Sequence, residues 1–296
     1  MQRAGKAPRF KQRNNDNKNN KVMIEISNLS YRYAGTKRNI FDGFSLNIES
    51  NNIYGLLGKN GTGKSTLLYL ISGLLRRQQG SVRIDGVESD GDDPALLSEI
   101  FLVPEEFELM PTTLDAYVKS NSVFYPRFSR EILERCLQDF ELSYDIDLRR
   151  LSMGQKKKVY MSFALATNTR LLLMDEPTNG LDIPSKSQFR KVVANNMSEE
   201  RTIIISTHQV HDVEALLDHI MILDGSSLAL NAPVGDICDR YCFGFRSPGE
   251  PMDDVIYSEP SLHGNAVITR RAEGDNETQL NLELLFNAVT KGAINK

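Results

Sequence analysis

The sequence predicts an α/β fold whose core is a mostly parallel β-sheet with a small antiparallel portion. An inserted helical subdomain and a small C-terminal α+β appendage complete this prediction. Three observations support it: apolar runs of strand length alternate with helix-like patterns, one interior stretch changes to helical spacing, and the C-terminal stretch mixes both patterns. The composition, 40% hydrophobic and 25% charged over 296 residues, is typical of a globular protein.

Eight short apolar runs are interpreted as core strands. Strands separated by helices pair in parallel. The first runs instead lie close together and are accompanied by the turn signals Asp42-Gly43 and Asp85-Gly86, which favour antiparallel pairing. The runs are VMIEI (22–26), FSLNI (44–48), IYGLL (53–57), SVRID (81–85), IFLV (100–103), LLLM (171–174), TIIIS (202–206) and IMIL (220–223).

The helical subdomain is expected at about residues 105–168, inside a domain that covers residues 22–234. Its helix-like segments are TLDAYVKSNSVFY, which follows the N-cap candidate Thr113, and SREILERCLQDFEL, which begins with the N-cap candidate Ser129. The appendage is expected at residues 235–296, where VIYSE and AVITRR are strand-like and LNLELLFNAVT is helix-like.

Residues 1–21 form a basic, Asn-rich segment. They carry seven Lys/Arg and one Asp, a net charge of +6, in a chain whose net charge is −4. Because the segment has few apolar side chains to offset its ordering entropy, we interpret it as a disordered tail. A basic tail that touches anionic lipid or RNA is one alternative, and an extended or misassigned start before Met23 is another.

Composition also narrows the functional classes. The rest of the chain is acidic, which argues against a nucleic-acid partner because such binding needs a basic face. No run reaches the roughly 18 apolar residues that cross a bilayer, so the chain alone is not expected to form a channel. The three cysteines, Cys136, Cys238 and Cys242, have no repeated spacing, complete no zinc site and are typical of a reducing cytosol.

Residues 58–66 read GKNGTGKST and fit the pattern G-x-x-x-x-G-K-[ST] between a strand-like and a helix-like run. Such a loop cradles phosphate oxygens with main-chain N–H groups, because its glycines adopt shapes that a side chain blocks. Lys64 can reach the β- and γ-phosphates, Ser65 can ligate Mg²⁺, and Thr66 can bond phosphate. The pattern predicts a P-loop NTPase core whose nucleotide-binding candidates are Gly58, Lys59, Asn60, Gly61, Thr62, Gly63, Lys64, Ser65 and Thr66.

The apolar run LLLM ends in two acidic residues, Asp175 and Glu176. Asp175 at the strand tip can hold Mg²⁺ through water. Glu176 lies where the chain leaves the sheet, and its carboxylate can polarise an attacking water as a general base.

Residues 151–155 read LSMGQ and precede a helix-like pattern. Ser152 is an N-cap candidate, and with Gly154 this helix N-terminus offers a second anion site; a simple capped helix is the alternative. The lysines at 156–158 are expected to form a solvated basic turn.

With these motifs in order, the chain resembles the ATP-binding cassette (ABC) ATPase family over about residues 23–234. The motifs are SYRYAG around Tyr33, GKNGTGKST, a VPEE segment, LSMGQ, LLLMDEP, the TNGLD loop and STH (206–208). The C-terminal segment is similar to the tail of bacterial exporter ATPases of the multidrug and antibiotic-resistance type.

The resemblance implies Mg²⁺-dependent hydrolysis of ATP and assigns roles by position. An aromatic at Tyr33 stacks on adenine, and His208 contacts the γ-phosphate and supports Glu176. Catalytic roles fall to Glu176, His208 and Lys64, and metal-binding roles to Ser65, Asp175 and Glu105, the last also a nucleotide contact.

The resemblance also implies that two cassettes pair head to tail around two ATP molecules. One chain contributes the motif residues Ser152, Gly154 and Gln155 to the ATP of the other, and Asp182 connects the two sites. The sequence departs from the family pattern at Met153, which replaces a glycine, at Glu105, which replaces a glutamine, and more mildly at Asn179.

The first functional hypothesis is therefore the ATP-hydrolysing subunit of an ABC transporter, an exporter rather than an importer. A separate membrane-spanning permease subunit would hold it at the inner, cytoplasmic face of the cell membrane. Homodimer and heterodimer stay open. The alternatives are a soluble ABC ATPase that remodels a cytosolic assembly, and a nucleotide-gated dimerisation module that barely hydrolyses ATP.

Overall fold

The computed structural model of the chain describes residues 21–294. The prediction of a disordered tail concerns residues 1–21, which lie outside this part of the chain except for Lys21. The described strands are β1 (Val22–Tyr31), β2 (Phe41–Glu49), β3 (Ile53–Gly58), β4 (Gln79–Ile84), β5 (Val87–Glu88), β6 (Ile100–Val103), β7 (Leu171–Asp175), β8 (Thr202–Thr207), β9 (His219–Asp224), β10 (Ser227–Pro233), β11 (Tyr241–Arg246), β12 (Val255–Ser261) and β13 (Gly264–Arg270).

The central sheet has six strands in the order β10-β9-β3-β8-β7-β6. All pairs are parallel except β9 with β10. The inner strands are apolar runs without polar alternation, as expected of strands that are covered on both faces. The mostly parallel core that the sequence predicts is confirmed.

The antiparallel portion is a separate four-stranded sheet in the order β2-β1-β4-β5. Asp85 and Gly86 form the tight β4–β5 turn with φ of 49° and 83°, values that a two-residue turn of the primed type requires. The second turn prediction was wrong, because Asp42 and Gly43 lie inside β2. There the left-handed φ of Gly43 coincides with shifts in the β1–β2 register, so this glycine serves an irregular strand pairing and not a turn.

Six of the eight described α-helices begin at a side-chain cap; those that begin at Lys64 and Val234 do not. The N-caps of the two insert helices predicted from sequence are Thr113 and Ser129, and each accepts a hydrogen bond from a main-chain N–H of the first turn. The helices are α1 (Lys64–Ile71), α2 (Pro94–Leu97), α3 (Leu114–Asn121), α4 (Arg130–Asp139), α5 (Met153–Ala166), α6 (Ile183–Asn195), α7 (Val234–Arg240) and α8 (Leu282–Thr290).

Two hydrophobic cores lie on opposite faces of the central sheet. Because successive side chains of a strand point to opposite faces, Ile203 and Ile205 of β8 pack into one core and Ile204 into the other. One core holds the antiparallel sheet and α1, and the other holds the insert helices and α6.

The C-terminal part contains a three-stranded antiparallel sheet, β11-β13-β12, and α8. The sequence predicted β12, β13 and α8 but missed β11. Phe243, Ile268 and Leu285 from this part join the same core as the insert helices. The predicted bounds of the main domain, residues 22 and 234, and the predicted start of the appendage at residue 235 stay predictions. Among residues 21–294, no helix has the length and the apolar character that spanning a bilayer requires.

A buried arginine, Arg201, links the ends of α5 and α6 and the segment before β7. It lies at the edge of the central sheet where β7 and β8 begin. Arg201 is 1% exposed, and its guanidinium donates to Leu165 O at 3.1 Å, Thr169 O at 3.1 Å, Asn196 O at 2.9 Å and Asn168 Oδ1 at 2.9 Å. Burial lowers the pKa of Arg201 to about 10, which still leaves it charged at neutral pH. These acceptors lie at or just after the ends of α5 and α6, where carbonyl groups lack partners within the helix, and Leu165 O also accepts from Asn168 N at 3.2 Å.

Arg201→Met is expected to lower the free energy of unfolding by about 3 kcal/mol, because several buried carbonyl groups lose their donor. The midpoint of urea denaturation measures this loss. The control is Arg150→Met, since the Arg150 side chain is 87% exposed and its loss should change stability little. Equal midpoints for the two variants would contradict the structural role of Arg201.

Candidate functional site

The phosphate loop joins the end of β3 to α1, and its glycines are required by geometry. Gly61 and Gly63 have φ of 79° and 99°, in the left-handed region. A Cβ atom on Gly63 would approach Phe41 Cζ to 2.9 Å, so the ring of Phe41 also excludes a side chain. The loop closes on itself, because Lys64 Nζ donates to Gly58 O at 2.9 Å and to Lys59 O at 3.4 Å.

The loop opens into a cleft of about 560 Å³. The predicted residues Tyr33, Asn60, Gly61, residues 63–66, Glu105, Glu176 and His208 line it, together with Ile40 and Asn179, which the sequence analysis did not propose as site residues. Thr62 lies beside the cleft and donates from Oγ1 to Lys59 O at 2.9 Å. Tyr33 is held at the rim by a hydrogen bond of 3.0 Å between its hydroxyl and Thr66 Oγ1.

The carboxylate of Glu176 lies between two cationic or polar groups. Its Oε1 is 2.8 Å from His208 Nδ1 and 3.8 Å from Lys64 Nζ. A carboxylate only accepts hydrogen bonds, so the His208 tautomer carries its proton on Nδ1 and leaves Nε2 for another partner. The contact arises because β7 and β8 are parallel neighbours, with Asp175 opposite Ser206, and their ends lie side by side.

Glu176 has an unusual backbone conformation. Its φ is 45°, in the left-handed region, and it precedes Pro177, which disfavours helical conformations further. A residue held in such a conformation costs about 1–3 kcal/mol and persists only where its surroundings fix it. The main-chain N–H of Glu176 donates to Ser206 O at 3.0 Å, and its carbonyl accepts from Lys157 Nζ at 3.0 Å.

Lys157 therefore corrects the prediction of a solvated basic turn at residues 156–158. Its side chain is buried and belongs to the site, whereas Lys158 reaches Gln188 Oε1 on α6. The sequence analysis missed Lys157 because three consecutive lysines are typical of a solvent-exposed, charged surface. The available signal was helical position: Lys157 precedes the buried residues Met161 and Ala164 by four and seven positions, on the same face of α5.

The residues expected to hold Mg²⁺ supply oxygen ligands of the type this ion prefers. Asp175 is buried and accepts a hydrogen bond from Ser206 Oγ. Burial raises the pKa of Asp175, and hydrogen bonds from Ser206 and Ser65 act against that rise, which places Ser65 beside the carboxylate. Within residues 21–294, no three His, Cys, Asp or Glu side chains come together as a metal site. The oxygen donors of Ser65, Asp175 and Glu105 fit a Mg²⁺ ion that takes further ligands from phosphate oxygens and water.

Two departures from the family pattern contact each other. Asn179 Nδ2 donates to Glu105 Oε1 at 2.7 Å. Glu105, which replaces a glutamine, is therefore held by Asn179, the residue of the TNGLD loop that departs from the family pattern. Burial lowers the pKa of the Lys64 ammonium, and the carboxylates of Glu176, Asp175 and Glu105 oppose that change. The extra carboxylate at position 105 consequently helps to keep Lys64 charged.

The remaining predicted residues do not line the cleft. Ser152 Oγ accepts from Gln155 N at 3.3 Å, and Gln155 Oε1 accepts from Ser152 N at 3.0 Å, which is a capping box at the start of α5. A Cβ atom on Gly154 would meet nothing within 4 Å. Asp182 caps α6 by accepting from Ser185 N at 2.9 Å, and hydrogen bonds from Ser185 lower the pKa of Asp182.

Two further histidines have structural roles. His219 Nε2 is 2.7 Å from Asn231 Oδ1, and its ring lies 4.8 Å from the ring of Tyr54. Exposed His211 lies 2.7 Å from Glu283 Oε2. Neither lines the cleft.

The family model described as ABC transporter matches residues 41–179. Relatives include a methionine import ATP-binding protein of Carboxydothermus hydrogenoformans, 33% identical over 247 residues that are 78% of this chain and 70% of that protein. A linearmycin resistance ATP-binding protein of Bacillus subtilis is 30% identical over 229 residues, 74% of this chain and 71% of that protein.

Among solved structures, a bacterial ABC transporter cassette described as dimeric matches with a TM-score of 0.63 and 26% identity. The match covers 72% of this chain and 99% of that one. The resemblance and the P-loop NTPase core that the motifs predicted are confirmed. The chain belongs to the ABC transporter family, as an ATP-binding subunit with the ATPase fold and activity of that family.

Proposed function

We propose that this chain is the Mg²⁺-dependent ATPase subunit of an ABC exporter, in which two cassettes close on ATP and drive a separate permease. The observation that carries the proposal is the position of the Glu176 carboxylate, bonded to His208 and 3.8 Å from Lys64 at the mouth of the phosphate loop. A general base must lie within reach of the water that attacks the terminal phosphate, and this carboxylate is buried at that edge and lines the cleft.

The predicted site residues of the cleft divide the tasks of the proposed reaction. The main-chain N–H groups of the loop and the Lys64 ammonium bind the phosphates, and Tyr33 stacks on the base at the rim. Glu176 orients water and accepts its proton, while His208 holds the carboxylate through Nδ1–H and through its main-chain N–H, which donates to Glu176 Oε2 at 3.3 Å. Ser65, Asp175 and Glu105 would hold a Mg²⁺ ion, which would supply positive charge against the charge that develops on the phosphates.

The second half of the ATP site is proposed to come from a partner cassette. Ser152, Gly154 and Gln155 lie at the N-terminus of α5, where free N–H groups attract anions, yet they do not line the cleft of their own chain. Two apolar side chains on this part of the surface, Met153 and Ile183, are 65% and 85% exposed. Asp182, which caps α6 beside Ile183, is proposed to connect the two sites of the pair.

The permease is proposed to contact the helical insert, which would hold the subunit at the inner face of the membrane. Met110, Val123 and Phe124 expose apolar side chains there. Relatives named for methionine import and for linearmycin resistance leave both directions of transport open. We favour export because residues 241–294 form an open three-stranded sheet with α8, whereas importers more often carry a regulatory barrel.

Glu176→Gln is expected to reduce kcat for ATP hydrolysis about 100-fold or more, since the base is removed, and to preserve ATP binding. With ATP it should accumulate as a dimer in size-exclusion chromatography with light scattering. The control Lys64→Ala should lose nucleotide binding and remain monomeric. Turnover of Glu176→Gln at the wild-type rate would rule out this base.

Gly154→Asp is expected to reduce ATP hydrolysis about 100-fold, because the new carboxylate would face the γ-phosphate bound by the partner. Binding of ATP to the monomer should be unchanged, as a fluorescent ATP analogue would measure. Gly235→Asp is the matched control, since Gly235 is also helical and its Cβ position is equally open. Full activity of Gly154→Asp would contradict the shared site.

Affinity purification of Glu176→Gln from detergent-solubilised native membranes, in the presence of ATP, is expected to recover one multi-spanning protein in equal amount. Trapping the closed state should retain the permease, because the interaction with the insert is kept. Recovery of cytosolic proteins alone, with no bait in the membrane fraction, would contradict the transporter role and favour remodelling of a cytosolic assembly.

A further inference from the structure

The buried ammonium of Lys157 holds both ends of the turn that contains Glu176. This lysine lies on α5 and is 7% exposed. Its Nζ donates to Glu176 O at 3.0 Å and to Asn179 O at 2.9 Å. Asn179 N in turn donates to Glu176 O at 3.2 Å, so residues 176–179 form a closed turn that is fixed from one side by α5.

A lysine in this position is costly unless it is bonded. Burial lowers the pKa of Lys157, and the carboxylates of Glu105, Glu176 and Asp175 act against that change. A polar group taken out of water destabilises the fold unless hydrogen bonds compensate it, and here the compensating groups are two carbonyls of the catalytic turn. Helix packing alone would be served by an apolar side chain, since neighbouring buried positions of α5 hold Val159, Met161 and Phe163.

The backbone of Glu176 gives these hydrogen bonds a specific consequence. Its left-handed conformation before Pro177 is unfavourable, so a released turn would relax toward the extended region. The carboxylate would then move away from the 2.8 Å contact with His208. Lys157 opposes this relaxation from α5, outside the turn, through the carbonyl of Glu176 itself.

The same lysine also acts on Glu105. Asn179, whose carbonyl Lys157 binds, donates from its side chain to Glu105 Oε1 at 2.7 Å. One ammonium therefore fixes the proposed base and, through Asn179, a proposed metal ligand.

We infer that Lys157 is a positioning residue for ATP hydrolysis, which holds Glu176 in its reactive orientation without touching substrate. The inference rests on the proposed role of Glu176 as the base. It assigns to Lys157 a task that Lys158 does not share, because Lys158 bonds to Gln188 on α6.

The test is steady-state ATP hydrolysis by the full chain carrying Lys157→Met, which keeps an unbranched buried side chain but removes the donor. We expect kcat to fall roughly 10- to 100-fold, because small displacements of a catalytic group have effects of this size. The affinity for a fluorescent ATP analogue should stay within about threefold, since Lys157 does not line the cleft. Lys158→Met is the matched control and should keep kcat within about twofold, as is usual for substitutions outside the reacting groups.

A double variant separates positioning from general stabilisation. If Lys157 acts through Glu176, adding Lys157→Met to Glu176→Gln should lower kcat no further, whereas independent effects would multiply. Lys157→Gln, which keeps a donor on a shorter side chain, should have an intermediate kcat, and it replaces Lys157→Met in every comparison if the methionine variant fails to bind ATP.

The outcomes keep the two proposals apart. If Glu176→Gln itself turns over at the wild-type rate, the base assignment fails. If Glu176→Gln is inactive but the folded Lys157 variant keeps wild-type kcat, or if the double variant shows multiplied effects, the positioning role of Lys157 is overturned.

Discussion

Parallel pairing of β3, β8 and β7 is the constraint on which the site depends. Parallel strands end at the same edge of a sheet, and each of these three strands is followed at that edge by a functional group. The phosphate loop follows β3, Glu176 follows β7 and His208 follows β8. Groups far apart in sequence thus meet, as Lys64 and Glu176 do at 3.8 Å. Because side chains alternate between faces, a slip of one residue in the β7–β8 register would remove Asp175 from Ser206.

The same edge concentrates charges that depend on one another. Burial lowers the pKa of Lys64 and of Lys157 and raises the pKa of Asp175, so burial alone opposes charge on all three groups. The lysines are held charged by the carboxylates of Glu176, Asp175 and Glu105. Removing one member of such a cluster leaves the others uncompensated, and the cluster acts as one electrostatic unit. The substitution of a carboxylate at position 105 can be understood in these terms, since two buried ammonium groups lie within its influence.

The sequence could predict those features of the fold and of the site that depend on a local pattern of residues. The phosphate loop, the acidic strand end at Asp175 and the capped start of α5 at Ser152 each show their chemistry within a few residues. The fold class followed from the alternation of strands and helices. The sequence did not predict the role of Lys157. That role depends on which face of α5 is buried and on contact with a turn some 20 residues later, and only tertiary packing supplies this information. Asp42-Gly43 was misassigned for a related reason, since a glycine with positive φ serves a strand irregularity as well as a turn.

Two glycines of the motifs have different physical reasons for lacking a side chain. Gly63 is required by its own chain, because φ is left-handed and Phe41 lies against the position of a Cβ atom. Gly154 has no such constraint: a Cβ atom would meet open space, and the residue is in the first turn of an ordinary helix, where glycine weakens the helix. Nothing within residues 21–294 requires glycine there, whereas close approach of a phosphate bound by a second cassette would require it. Met153 beside it is likewise not explained by its own chain, because its apolar side chain is exposed to solvent. The proposed pairing of cassettes accounts for both residues at once, because it brings a ligand against Gly154 and covers Met153 in the same step.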